Sequence, residues 1–311
     1  MTVSHDVLIV DAHQHFWDLT NHRYPWLDAG TPSIVGDTTK IRSDYLPETY
    51  IRDAFPFRIL GSVHLDGGFD PGNPAGETVL AESFALQTGY PNGIIGAVDL
   101  GAPDLEELIQ SHISASTRFR GVRQIVAWHE VERLSYVRDP HLMRNAAWRA
   151  GYGSLKSWGL SADMQIYPGQ MSDAAALAGE YPDVPMIINQ AGMPEGLATG
   201  DHAAWRRGIR ELAQARNVSI KISGFGMLKP DWSIQDVRPL IEEIVDAFGP
   251  RRVMLGSNYP VDKLFKPLSE LFATYIECLR FVELSDLARI CSLNAIDIYR
   301  LEIPQSTYQQ V

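Results

Sequence analysis

The stretch VLIVDAHQHFWD, residues 7–18, runs four apolar residues into an aspartate and then sets His13 and His15 two positions apart. An apolar run of this length reads as a buried strand, and on a strand side chains two apart share a face. Both imidazoles therefore converge near the strand's C-terminal end, the arrangement of half a metal site. The rest of the chain decides whether the other half exists.

Seven further apolar, β-rich runs follow at 58–65, 93–100, 119–128, 161–167, 184–190, 218–224 and 251–258. Runs such as MII and VML are apolar without alternation, as expected of parallel strands covered on both faces. Between them, segments such as AGETVLAESFALQTG and IQDVRPLIEEIVDAFG place apolar residues three and four apart, which predicts amphipathic helices. Asp104 stands where it can cap one helix, and Gly249-Pro250 ends another. Eight alternating β and α units predict an α/β fold closed into a (β/α)8 TIM barrel, with an open doubly wound sheet as the alternative. The whole chain, 1–311, reads as a single domain. Residues 17–57 are rich in turn formers and hold two tryptophans, and are expected as an extended loop over the barrel mouth.

With 311 residues, 45% of them hydrophobic, the chain can bury a large core. A formal net charge of −11 argues against a nucleic-acid partner and against an anionic membrane surface. The N-terminus lacks the pattern of a signal peptide and no run is long enough for a membrane span, so a cytoplasmic protein is expected, acting on a small molecule, with a homo-oligomer compatible. Cys278 and Cys291 have no metal-binding or redox spacing and read as buried, reduced thiols.

In such a barrel the chemistry sits at the C-terminal strand ends. Those positions carry His13 and His15, then His64, Asp99, and the group Trp128, His129 and Glu130. Further along come Gln165 and Tyr167, Asn189 and Gln190, Lys221 and Ser223, and finally Ser257, Asn258 and Tyr259. His64 reads as a structural histidine, whereas His5, His22, His112, His141 and His202 are expected in solvent or loops.

The ordered motifs DAHQHFWD, YPWL, DYLPETY, GVRQ, NQAGMP, KISG and GSNYPVD, closed by the helix NAIDIYRL, span residues 11–301. Together they resemble the lactonase-like branch of the amidohydrolase superfamily, the amidohydrolase 2 family. The resemblance implies a TIM-barrel hydrolase acting on sugar lactones or lactones from aromatic catabolism; the wider family includes metal-dependent decarboxylases of aromatic acids. It also implies a histidine on strand 6 and an aspartate on strand 8, where this chain has Gln190 and Asn258. Both departures fall on the chemistry.

An amide has no useful basicity at neutral pH and is a poor zinc ligand. Only His13 and His15 remain as strong metal donors, so no cofactor is required in the preferred reading, with a divalent ion such as zinc as the alternative. The expected activity is opening of a lactone or related ester of a small carboxylated or polyhydroxylated substrate. His13, His15, His129 and Asn258 are the catalytic candidates, with Asp262 a further carboxylate within reach. Arg123, Gln190, Lys221, Trp26 and Tyr259 are the substrate-binding candidates. The alternatives are a metal-dependent aromatic-acid decarboxylase and a catalytically impaired binding barrel.

Overall fold

The computed structural model describes residues 7–303; the expectation for His5 lies outside them. Eight parallel strands form one sheet in sequential order: β1 (Leu8–Gln14), β2 (Arg58–Leu65), β3 (Gly93–Ala97), β4 (Phe119–Ile125), β5 (Ser161–Gln165), β6 (Met186–Ile188), β7 (Val218–Ile222) and β8 (Val253–Leu255). The ring is drawn together between β8 and β1 by backbone bonds just past β8. Asn258 N donates to the His13 carbonyl at 2.7 Å and His15 N to the Tyr259 carbonyl at 2.7 Å. The expected (β/α)8 barrel is the fold observed.

Around the strands lie α1 (Pro47–Ala54), α2 (Pro74–Thr88), α3 (Leu105–Ala115), α4 (Ala146–Trp158) and α5 (Met171–Glu180). They are followed by α6 (Ala203–Leu212), α7 (Ile234–Phe248), α8 (Leu268–Cys278), α9 (Leu284–Ala288) and α10 (Asn294–Tyr299). Their local chemistry explains their ends. Asn145 caps α4 by accepting from Ala147 N and Trp148 N, and Ser233 with Asp236 forms a capping box on α7. Gly249, at φ 69°, closes α7 as the sequence predicts. Asp104 stands at the start of α3, yet its side chain makes no capping bond.

Two further expectations change. The 17–57 segment is not all loop, since it contains α1 and two short 3-10 turns. His112 is not a surface residue: it is buried, stacked on Phe119 with ring centroids 4.9 Å apart, and its Nδ1 lies 2.7 Å from the Thr78 hydroxyl. Cys278 and Cys291 are buried and free, as expected. Among the described residues no helix is long and apolar enough to cross a membrane.

One buried carboxylate organises the start of the barrel. Asp11 accepts from His13 N at 3.0 Å, from Ser257 N at 2.8 Å and from the Tyr50 hydroxyl at 2.9 Å. It thereby fixes β1, the segment after β8 and α1 to one point, and burial pushes its pKa up to about 6.

Candidate active site

The ends of six strands meet at a cavity of about 330 Å³. Its polar lining comes from His15 just past β1, Asp66 past β2, Arg123 in β4, Gln165 ending β5, Gln190 past β6 and Asn258 past β8. The sequence reading anticipates all of these positions except Asp66, which follows its strand directly but lies in a turn-rich run, DGGFDPGN, that gives no other signal.

His15 is held by its Nδ1, which donates to the Leu65 carbonyl at 2.9 Å. A carbonyl can only accept, so the proton of the neutral ring sits on Nδ1 and Nε2 keeps its lone pair. Burial, with the nearby Arg123 charge, keeps this imidazole well below the usual pKa of 6.5. The ring also touches the Asn258 amide and stacks near Trp17, centroids 6.4 Å apart.

His13 lies beneath, its ring centroid 5.1 Å from that of His15. It is fully buried and neither ring nitrogen has a hydrogen-bond partner. Burial and the Lys221 charge hold it well below the usual imidazole range, so it too is neutral.

Gln190 and Asn258, the two carboxamides among the candidates, meet in this cavity. Gln190 Nε2 donates to Asn258 Oδ1 at 3.4 Å, and Asn258 Nδ2 lies 3.4 Å from Met227 Sδ. Both residues sit in the left-handed region, at φ 44° and 55°, which costs energy for side chains other than glycine. Gly224 makes room for the first: a Cβ there would stand 2.4 Å from Gln190 Cγ. Behind Asn258 is Asp262, fully buried against that amide and the Gly224 and Gly226 backbone, with its pKa raised to about 7 by desolvation.

The Arg123 guanidinium is buried and aimed by two bonds, from Nη1 to the Asp66 carbonyl at 2.6 Å and from Nη2 to Gln165 Oε1 at 3.1 Å. Its Nε has no partner. Trp26 also lines the cavity, its indole N–H fixed on the Gly67 carbonyl at 2.6 Å.

Three candidates stand elsewhere. His129 faces a separate cleft with Trp128 and Tyr167, and its Nε2 lies 2.8 Å from Glu195. Lys221 is buried below the cavity in a pair with Asp163 at 2.6 Å, itself bonded by Tyr299 and Asn189. Burial lowers its pKa to about 8. Tyr259 is buried with its hydroxyl donating to the Lys266 carbonyl at 2.9 Å, packed on Tyr45. Strand-end position alone suggested these residues; their partners turn them away from the cavity. His64 is structural, as expected: Phe16 N donates to its Nδ1 at 3.1 Å, and its Nε2 lies 3.3 Å from Glu77.

Zinc sites use at least three strong protein donors. Here two imidazoles face two carboxamides, and among the described residues no three His, Cys, Asp or Glu side chains converge as a metal-binding group. The donor set does not fit a zinc centre.

A barrel with its polar residues gathered at the C-terminal strand ends, around paired histidines from β1, has the layout of a hydrolytic enzyme. The chain belongs to the amidohydrolase family, whose model matches residues 10–301. It is 39% identical to the protein y4mH of Sinorhizobium fredii over 297 residues, covering 95% of this chain and 99% of that one. It is 28% identical over 269 residues to an L-fucono-1,5-lactonase of Burkholderia multivorans, covering 82% of each. In fold it is similar to a crystal structure of a Burkholderia multivorans amidohydrolase with bound zinc, at a TM-score of 0.80 and 23% identity, covering 95% of this chain and all of that one.

Proposed function

We propose that this protein hydrolyses a lactone or related ester of a small molecule, and that it does so without a tightly bound metal. The observation that carries the reading is the state of His15: a buried, neutral imidazole, tied down at Nδ1, whose Nε2 keeps its lone pair beside the Asn258 amide in a cavity that also holds Arg123 and Gln190. The curated relatives named as lactonases support the reaction class.

In the proposed reaction His15 Nε2 takes a proton from water as the water oxygen bonds to the lactone carbonyl carbon. The oxyanion that forms is met by N–H donors, for which the Arg123 guanidinium and the Gln190 and Asn258 amides line the cavity. The ring C–O bond then breaks and His15 returns its proton to the departing oxygen. The product is a hydroxy acid, which ionises and releases one proton to solvent. Arg123, Gln190 and Trp26 bind substrate; Asn258 orients His15. Lys221 and Tyr259 act through the frame beneath and beside the cavity, and His129 is assigned no step.

The test is proton release from a lactone panel by protein prepared with chelator and by the same protein given zinc. Hydrolysis that survives the chelator supports both parts. Hydrolysis that appears only with zinc removes the metal-independent part, and none in either preparation removes the reaction.

A further inference from the structure

The cavity is divided by chemistry. Its floor, from the strand ends, carries the polar side chains already described, whereas its upper wall comes from loops and is apolar. Pro25, Trp26, Ile34 and Val35 from the first long loop line it together with Met227 and Val261. Phe69 completes the wall, and Ser33, Asp66 and Tyr136, whose hydroxyl bonds to Gln165, are the polar side chains at its edge. Trp26 spends its one donor on the Gly67 carbonyl, so it offers the cavity only its ring. Asp66 is drawn towards Arg123, with 3.9 Å between Oδ2 and Nη1.

Such a wall recognises one kind of molecule. A ring hydroxyl pressed against it loses water and gains no partner, at a cost on the order of tenfold in affinity each. A methylene in the same place gains about fourfold. The floor, by contrast, carries the Arg123 guanidinium and the carboxamides of Gln165, Gln190 and Asn258. One polar end down and one apolar end up is the molecule that satisfies both halves. At about 330 Å³ the space is at the small end of ligand pockets, enough for a single ring with a substituent.

Resting on the hydrolase reading, we infer that the substrate is an amphipathic lactone or ester, its reacting carbonyl on the polar floor and an alkyl or aryl substituent on the apolar wall, and that polyhydroxylated rings are disfavoured. The loop carrying Ile34 and Val35 sets this preference.

The experiment uses the full chain and two series: δ-valerolactones with alkyl substituents of increasing length, beside aldonolactones of the same ring size, and the corresponding δ-lactams, which resist hydrolysis and report affinity through quenching of tryptophan fluorescence. The expected result is a rise of about fourfold in kcat/KM for each of the first two or three methylenes, and a matching fall in lactam Kd. Alkyl lactones should exceed aldonolactones by 100-fold or more. Ile34→Asn with Val35→Asn should flatten the gradient in both series, with circular dichroism showing the fold intact. Turnover without a gradient, or with aldonolactones preferred, overturns the inference and leaves the hydrolase standing. Lactams that bind with the gradient while no lactone is hydrolysed uphold the cavity's preference for an amphipathic ring and overturn the hydrolase. Lactams that bind without a gradient, or fail to bind, overturn the inference as well.

Discussion

Gln190 and Asn258, 68 residues apart in the chain, meet through their side chains, with Gln190 Nε2 donating to Asn258 Oδ1 at 3.4 Å. Both are held at positive φ. Past the ends of β6 and β8 the cavity thus holds a pair of amides bonded to each other. The pair has hydrogen-bonding capacity but no charge and no useful basicity, which moves the demand for a base to His15.

Replacing His15 by Asn keeps a donor near the Leu65 carbonyl while removing the Nε2 lone pair. Turnover of the best lactone should fall by roughly 10²- to 10⁴-fold, with KM little changed. Steady-state kinetics with a thermal melt on the same sample checks it. A variant of normal fold and normal kcat would remove His15 as the base.

Converting the amides together, Gln190→His with Asn258→Asp, supplies a third imidazole and a carboxylate beside His13 and His15. Zinc should then copurify at close to one ion per chain, whereas the unaltered protein should bind it at least 100-fold more weakly. Metal analysis after dialysis against a weak chelator reads the difference. Equal zinc content in both proteins would contradict the account of what the amides changed.

Asp262 makes stability depend on pH. Its folded pKa of about 7 lies above the value near 3.9 of an unfolded aspartate, so the native state holds the proton more tightly. Its contribution is fully present below about pH 4, is lost as pH rises towards 7, and levels off above that. The total change is on the order of 4 kcal/mol. In urea unfolding between pH 4 and 8, the difference between the parent and Asp262→Asn should show this decline, separated from the similar decline of Asp11 and the opposite rise from His13 and His15, whose imidazoles are held below their unfolded value. An identical decline in the variant would assign the effect to another group.

Lys221 and Asp163 are both fully buried. Lys221→Met leaves the Asp163 carboxylate with Tyr299 and Asn189 but no cation, and should cost about 3–5 kcal/mol in chemical denaturation. Adding Asp163→Asn should recover part of the loss, because the stranded charge is gone. A single variant as stable as the parent would show that the pair is not what holds this part of the barrel.

The barrel was legible because its signal is repeated. Eight apolar runs at regular spacing outweigh any error in one, and β2 matches its expected limits, Arg58–Leu65. The helix α4 was harder to read: AAWRAGYGSLKSW carries two glycines that blur its periodicity, and its formation rests on the Asn145 cap and the burial of Trp148, Tyr152 and Leu155. Within the site, position at a strand end identified His15, Gln165, Gln190 and Asn258, since the fold delivers those residues to one place, whereas Arg123 was identified through the GVRQ motif. It could not separate them from His129, Lys221 and Tyr259, whose direction is set by Glu195, Asp163 and the Lys266 carbonyl, distant in sequence. Asp11 and Asp66 were missed as participants for the same reason. A carboxylate's part depends on which amide or guanidinium it meets, and periodicity carries no record of that.

The join between the first and last strands uses main-chain groups, the Ser257 hydroxyl, which donates to the His13 carbonyl, and the Asp11 carboxylate, which accepts from Ser257 N and His13 N. Neither the Gln190 nor the Asn258 side chain contributes to that seam; Asn258 lends it only its backbone N–H. Side chains at these two positions can therefore be exchanged without undoing the closure of the ring, so the scaffold's integrity and the chemistry of its mouth are separable properties.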